Sequence, residues 1–192
     1  MSGADQLTET LWSYAQAATT SVPAASAATI TAGWPAITIP AGFFQKLGDK
    51  TSSARLRLEG ALTATATVPT FALGLAATQV TPAAFSASTL LHAISSTNTP
   101  TAVTAAWIGM EWHIGLRTLG LGAASTLVTT GKCECPSFAA PNFVAFPSAN
   151  GAKTLATIDV MQPIYLWPYL TLGAATAGNT ITLDWGKLYG DS

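Results

Sequence analysis

The 192-residue chain has only 9% charged residues and a formal net charge of −1, whereas soluble domains usually carry about a quarter charged residues. Its eight Lys and Arg residues are scattered, so it lacks the clustered positive charge that a nucleic-acid partner requires. No apolar run reaches the ~20 residues of a membrane-spanning helix, so no membrane partner is expected. The low charge predicts a subunit whose surface is largely covered by neighbouring molecules.

The first 35 residues differ in character from the rest of the sequence. They predict an N-terminal arm (residues 1–35) followed by a single domain (residues 36–192). Residues 19–33 are rich in Ala, Thr and Ser and bury too little apolar surface to order alone. This predicts either a disordered leader or an arm that orders against a neighbouring subunit. The first 16 residues lack the basic residues and the apolar run of a signal peptide, so we expect synthesis in the cytoplasm.

A short helix is predicted within this arm, over residues 6–18. Leu7 and Leu11 fall on one side of it, at the spacing typical of an amphipathic helix. Together with Trp12 they are candidate contact residues through which the arm touches a neighbouring subunit.

From residue 54 onward the dominant period is two, the period of half-buried β-strands. Leu56 and Leu58 share one face of their segment, opposite charged neighbours. The alternation recurs at residues 71–76, 108–116 and 181–186, and further strand candidates lie at 36–39, 88–95, 125–130, 154–161 and 164–172. Irregularly spaced turn residues separate these segments. The sequence therefore predicts an all-β fold, an antiparallel two-sheet jelly-roll sandwich with an extended N-terminal arm.

Two prolines bear on the strand candidate at residues 164–172. Pro163 precedes it and Pro168 lies within it. Because proline cannot donate a hydrogen bond to a ladder, this segment is predicted to be an edge strand or a bulged strand.

Residues suited to catalysis are few and scattered. Glu111 and His113 lie two residues apart on one strand face, as an acid/base couple, a recognition pair or simply a polar outer face. Asp159 and Asp184 would form a catalytic carboxylate pair only if the fold brought them together. We therefore expect no enzymatic activity and no cofactor.

The two cysteines, Cys133 and Cys135, point the same way on an extended strand, where a disulfide between them would be strained. Two free thiols are the simplest interpretation. A zinc site would require His92 and His113 to join the cysteines in the fold, so no metal is expected.

Aromatic residues are the main candidates for contacts. Trp112 and Trp185 fall on apolar strand faces and are predicted to lie in the core. Trp107 falls on the opposite face of its strand and is predicted to be exposed, as a candidate contact residue.

An aromatic stripe of period two is formed by Tyr165, Trp167 and Tyr169. Such stripes are enriched in protein interfaces, because rings bury a large area at low entropic cost. The stripe is predicted to form a subunit contact. The alternatives are the core of a second sheet and stacking against a glycan.

Four stretches of the sequence carry a family resemblance. They are WPAITIPAGFF at residues 34–44, RLRLEG at 55–60, TATVPTFALGL at 65–75 and AGNTITL at 177–183. In this order they resemble a broad group of tailed-bacteriophage structural proteins, in which an IPAGFF-like strand precedes an LRLxG strand and an AGNTITL strand closes the chain.

The resemblance implies a jelly-roll subunit of a phage head. Members of the group include capsid decoration (minor capsid) proteins that sit on the capsid as trimers. The expected partners are therefore the major capsid protein and further copies of this chain, on the capsid surface of the virion after synthesis in the host cytoplasm. The resemblance implies no catalytic residues. The alternative is a tail or head-fibre module that binds host-surface glycans through Trp107 or Trp167.

Overall fold

The structure is a computed structural model that describes residues 8–21, 28–45, 52–64, 71–79, 89–96, 102–135, 154–172 and 178–191. These residues form two antiparallel β-sheets, and the predicted all-β sandwich is confirmed. In the described ranges the only helical segments are two 3₁₀ turns, Phe43–Gln45 and Gly122–Ala124. None of the described segments is a helix long and apolar enough to cross a membrane.

Seven of the described strands make the larger sheet, in the order β1-β12-β5-β8-β9-β10 with β2 also paired to β12. They are β1 Thr8–Tyr14, β2 Ala18–Ser21, β5 Ser53–Ala64, β8 Val103–Thr118, β9 Thr126–Glu134, β10 Thr154–Thr157 and β12 Thr180–Asp191. Five strands make the smaller sheet, in the order β3-β11-β6-β7 with β4 also paired to β11. They are β3 Ala28–Thr29, β4 Ile37–Ile39, β6 Phe71–Thr78, β7 Thr89–Ser96 and β11 Ile164–Leu172.

The chain crosses repeatedly from one sheet to the other. β1 and β2 belong to the larger sheet, β3 and β4 to the smaller, β5 to the larger, β6 and β7 to the smaller, and β8 to the larger. After β9 and β10, which extend the larger sheet beyond β8, the chain returns through β11 in the smaller sheet and ends on β12 between β1 and β5. These crossings are the connectivity of a jelly roll.

The core lies between the sheets and follows the predicted alternation. On β5 the side chains of Leu56 and Leu58 are fully buried, and on β8 Met110 and Trp112 are fully buried opposite them. The core position predicted for Trp112 is confirmed. Each buried side chain of this size contributes about 1.5–3 kcal/mol relative to exposure, so these two central strands supply much of the hydrophobic stabilisation.

The helix predicted over residues 6–18 is wrong where the structure describes it. Residues 8–14 form β1, which pairs with the last strand, β12. Trp12 and Tyr14 share one face of β1, and their rings pack against Trp34 with centroids 5.8 Å and 5.1 Å away. This aromatic packing and the neighbouring strand outweigh the weak helical spacing of Leu7 and Leu11. Leu7 itself lies outside the described residues.

The described parts of the predicted arm belong to the two sheets. β2 pairs with β12 and β3 pairs with β11, while Ile30 and Trp34 are buried in the same core as the rest of the sandwich. Leu11 and Trp12 are partly buried against that core. In these segments the predicted boundary after residue 35 therefore does not correspond to a break in the sheets.

The prediction that proline makes residues 164–172 an edge strand or a bulged strand is wrong. β11 has β6 on one side and both β3 and β4 on the other. The carbonyl oxygen of Pro168 accepts a hydrogen bond from the Ile30 amide at 3.1 Å, so the Pro168 nitrogen points to the same side. On that side, the hydrogen-bond ladder is interrupted between β3 and β4. Pro168 lies at this interruption, so the N–H that proline lacks is not needed for the ladder.

A β-bulge in β12 overturns the core position predicted for Trp185. The register with β5 shifts between Leu183 and Trp185, so the alternation changes face at Asp184. Leu183 is buried between the sheets, whereas Trp185 lies on the outer face with the Arg57 guanidinium 5.5 Å from its ring centroid.

Gly60 tests how closely β5 and β12 approach each other beside this bulge. A Cβ at Gly60 would clash with the main-chain carbonyl of Thr182, which cannot swing aside as a side chain can. We expect Gly60→Ala to lower the free energy of unfolding by about 2–3 kcal/mol, measured by urea denaturation.

Gly115→Ala on β8 is the matched control for this prediction. A Cβ there meets only the Val128 Cγ1 at 3.5 Å, an ordinary contact, so a change within about 0.5 kcal/mol is expected. Equal denaturation midpoints for the two variants would contradict the close approach at Gly60.

Candidate functional site

The outer face of the smaller sheet carries no charged side chain among the described residues, and we call it the uncharged face. The register places the outward residues of β11 opposite small or hydroxyl residues of β6. The members of the uncharged face are Thr29, Thr38, Ala72, Gly74, Ala76, Thr78, Tyr165, Trp167, Tyr169 and Thr171. Because it has no charged side chain, covering this face avoids the large desolvation penalty of buried ions.

The predicted aromatic stripe lies on the uncharged face rather than between the sheets. Tyr165, Trp167 and Tyr169 are each half-buried. The Trp167 indole Nε1 donates a hydrogen bond to the Thr78 hydroxyl at 3.2 Å. The Tyr169 ring lies over Gly74, where a Cβ would collide with it, and burial raises the pKa of the Tyr169 phenol. The stripe is therefore held in a fixed orientation by its own sheet.

The outer face of the larger sheet has the opposite character, and we call it the charged face. Its outward side chains lie in rows across β12, β5, β8 and β9, so that Lys187, Arg57, Glu111 and Lys132 stand side by side. The remaining members are Arg55, Glu59, Trp107, His113, Glu134, Trp185, Tyr189 and Asp191. Four cations and four carboxylates are interspersed on this face, so its net charge is close to neutral.

The candidate pair of Glu111 and His113 is brought together on the charged face. The His113 Nε2 lies 2.6 Å from the Glu111 Oε1, and both side chains reach solvent. Two similar pairs lie beside it, Arg57 with Glu59 on β5 and Lys132 with Glu134 on β9. The pair is thus one of three such pairs on the charged face.

Trp107 is exposed as predicted, with 41% of its surface open to solvent. Its ring lies against the backbone of Gly109, two residues along β8, and a Cβ at Gly109 would come within 2.8 Å of the ring. Arg57, Glu59, Glu111 and other charged side chains line a shallow groove next to this ring.

One end of the sandwich carries apolar side chains that sequence reasoning did not identify, and we call it the apolar end. It consists of Leu119 and Leu121 in the β8–β9 connection and Met161 in the turn before β11, with exposed fractions of 57%, 94% and 49%. The Ile158 amide donates to the Ser125 carbonyl at 3.0 Å, which ties the two connections together. The signal available in the sequence was two leucines set in a glycine-rich turn.

The remaining candidates do not converge. His92 is buried in the core, whereas His113 lies on the outer face, so the two histidines do not both join the buried cysteines Cys133 and Cys135. Burial raises the pKa of the Cys133 thiol well above its ordinary value. In the described part of the chain no three His, Cys, Asp or Glu residues are grouped to hold a metal.

Asp159 and Asp184 occupy different settings. The Asp159 Oδ1 accepts a hydrogen bond from the Met161 amide at 2.9 Å within a turn. Asp184 is the exposed residue of the β12 bulge, next to a groove lined by Tyr14 and Trp185. Asp159 therefore lies in the turn before β11 and Asp184 in the β12 bulge, so the structure places the two carboxylates in separate elements.

No family model and no curated protein matches the sequence. Among solved structures, the chain is similar to the CBM2 module of the evolved Dit of Lactobacillus casei BL23 phage J-1, with 10% identity and a TM-score of 0.29. The match covers 80% of this chain and 67% of that chain. A superposition at this TM-score carries no argument about fold or function.

Buried His92 makes stability depend on pH. Burial lowers its pKa below the ordinary value of 6.5, because desolvation penalises the imidazolium. The unfolded chain therefore takes up a proton at a higher pH than the folded chain, and stability is lost as the pH falls through 6.5. We expect the free energy of unfolding to decrease between about pH 7.5 and about pH 5, and His92→Gln to flatten this decrease.

Thr104→Gln, at an exposed position of β8 that has no titratable group, is the control and should keep the wild-type pH profile. Denaturant titrations at a series of pH values measure both variants. An unchanged slope in His92→Gln would show that another group is responsible.

Proposed function

We propose that the chain is a non-enzymatic structural protein of a tailed-bacteriophage virion, a capsid decoration subunit that forms a homotrimer and binds the major capsid protein on the surface of the head. The observation that carries this proposal is the one-sided distribution of charge: one outer face of the sandwich is uncharged and the other holds most of the described charges. The jelly-roll fold and the motif resemblance support the same class of protein.

The uncharged face suits a permanent contact between subunits. The three strand positions of this face, about 4.8 Å each, and the roughly 30 Å length of β11 give it a projected area of about 400 Å², about half of the ~800 Å² that one partner buries in a stable interface. Trp167 already satisfies its indole N–H internally, through Thr78. Covering Trp167 therefore leaves no unpaired indole N–H, which would add to the cost of association.

The apolar end suits a contact with the shell. A side chain as exposed as Leu121 contributes nothing to the core of its own subunit, so its apolar surface gains only when a partner covers it. Met161 and Leu119 enlarge this surface at the same end of the sandwich. A trimer joined through the uncharged faces would present three such ends side by side to the capsid.

Placing a charge on the uncharged face tests the trimer. We expect the wild-type chain to be a trimer in multi-angle light scattering, and Thr171→Lys to weaken association by at least about 100-fold, because association would bury an unpaired ammonium group. The half-buried Thr171 points outward on β11, so the variant should fold normally.

The matched control is Thr130→Lys, which adds the same charge on the charged face at an exposed position of β9. It should remain a trimer. A monomeric wild-type chain, or equal association of the two variants, would contradict the proposed interface.

A charge at the apolar end tests the contact with the shell. We expect Leu121→Asp to remain a trimer but to bind at least about tenfold more weakly to heads purified from a phage lacking this gene. Cosedimentation measures binding, and heat resistance of the decorated heads measures stabilisation of the shell.

Ala102→Asp, an exposed position at the opposite end of β8, is the matched control and should bind like the wild-type chain. Wild-type binding by Leu121→Asp would exclude the apolar end from the contact. Heads with equal heat resistance with and without the chain would contradict a stabilising role.

A further inference from the structure

Trp107 has the geometry of a fixed stacking platform. One side of its indole ring lies on the backbone of Gly109, which leaves room for the ring because it has no side chain. The ring retains 41% exposure. By contrast, the Trp185 and Tyr189 rings on the same face are covered by cations, with Arg57 5.5 Å from one centroid and Arg55 5.2 Å from the other.

Hydrogen-bonding groups surround this platform. In register, Gly109 is flanked by Glu59 on β5 and Glu134 on β9, two strand spacings or about 10 Å apart. The next row along the strands holds Arg57, Glu111 and Lys132. A ligand resting on Trp107 therefore meets acceptors and donors on both sides of the ring.

The pairing of these charges defines the kind of ligand. Arg57 pairs with Glu59, and Lys132 lies 3.3 Å from Glu134, so neither cation forms a concentrated positive site for a phosphate. Nor do the carboxylates stand alone, as a divalent cation would require. Paired groups of both signs instead offer directed hydrogen bonds to a neutral ligand with many hydroxyl groups.

We propose that the charged face carries a saccharide-binding site centred on Trp107, whose ligand is a neutral sugar chain with a flat apolar face. The C–H face of one sugar ring stacks on the exposed side of the indole, while its hydroxyl groups bond to the flanking carboxylates and cations. This goes beyond the proposed structural role: the site lies on the sheet opposite the proposed trimer contact, which does not cover it.

The test is titration of the full chain with chitohexaose, cellohexaose and maltohexaose, followed by the indole N–H signals in ¹H–¹⁵N NMR. Trp107→Phe identifies the Trp107 signal by its loss. We expect at least one sugar to shift this signal, with Trp107→Ala weakening the calorimetric affinity at least about tenfold and Trp107→Phe retaining most of it. Met161→Ala, an exposed apolar position elsewhere, should bind like the wild-type chain.

Three results would overturn the saccharide site. They are no shift of the Trp107 signal with any of the three sugars up to about 10 mM, equal affinity of the wild-type chain and Trp107→Ala, and displacement of the sugar by millimolar inorganic phosphate, which would indicate an anion site. Light scattering of Trp107→Ala separates this proposal from the structural one, because the variant should associate as the wild-type chain does whether or not sugar binding is lost.

Discussion

The register that joins β12, β5 and β8 is the constraint on which the rest of the structure depends. Because side chains alternate, a slip of one residue would turn Leu56 and Leu58 outward and bury Arg55 and Arg57. Exposing each leucine costs about 2 kcal/mol, and burying an unpaired guanidinium costs several times more. The core and the charged face are therefore two results of a single register.

This coupling accounts for the uneven surface of a chain with so few charges. Eight of its 17 charged residues (eight basic and nine acidic in all) lie on the charged face, on strands whose other side builds the core. The smaller sheet is built from segments rich in Ala, Thr and aromatic residues, and its described outer face has no charge. The few charged residues are therefore concentrated on one outer face, and the described part of the other outer face has none.

The sequence is sufficient to predict most of the strands, but it does not predict for every strand which face is buried. Alternation located β11 at residues 164–172 and identified the buried side of β5 and β8, because a period of two is typical of half-buried strands and does not fit a helix. It failed for Trp185, since a one-residue bulge reverses the alternation and has no signature in composition. It also failed for β1 and for Pro168, where the neighbouring strands decide the outcome.

The sequence also predicts only part of the candidate surfaces. The exposure of Trp107 follows from its position within one strand, whereas the apolar end requires knowing that the connections at residues 119–125 and 158–162 meet. Contacts between distant loops depend on sheet order, which local patterns do not encode.

The two outer faces use one structural device for different purposes. On each, an aromatic ring lies over a glycine, Tyr169 over Gly74 and Trp107 over Gly109, so the ring is oriented at little entropic cost before any partner arrives. Around Tyr169 the surroundings are uncharged and half-buried, so a partner gains from covering area and has little hydration to displace. Around Trp107 the ring is open and its neighbours are paired ions that keep their water, so only a ligand able to replace those hydrogen bonds gains by binding. The first environment favours a contact that is made once and kept, and the second favours a ligand that exchanges with solvent.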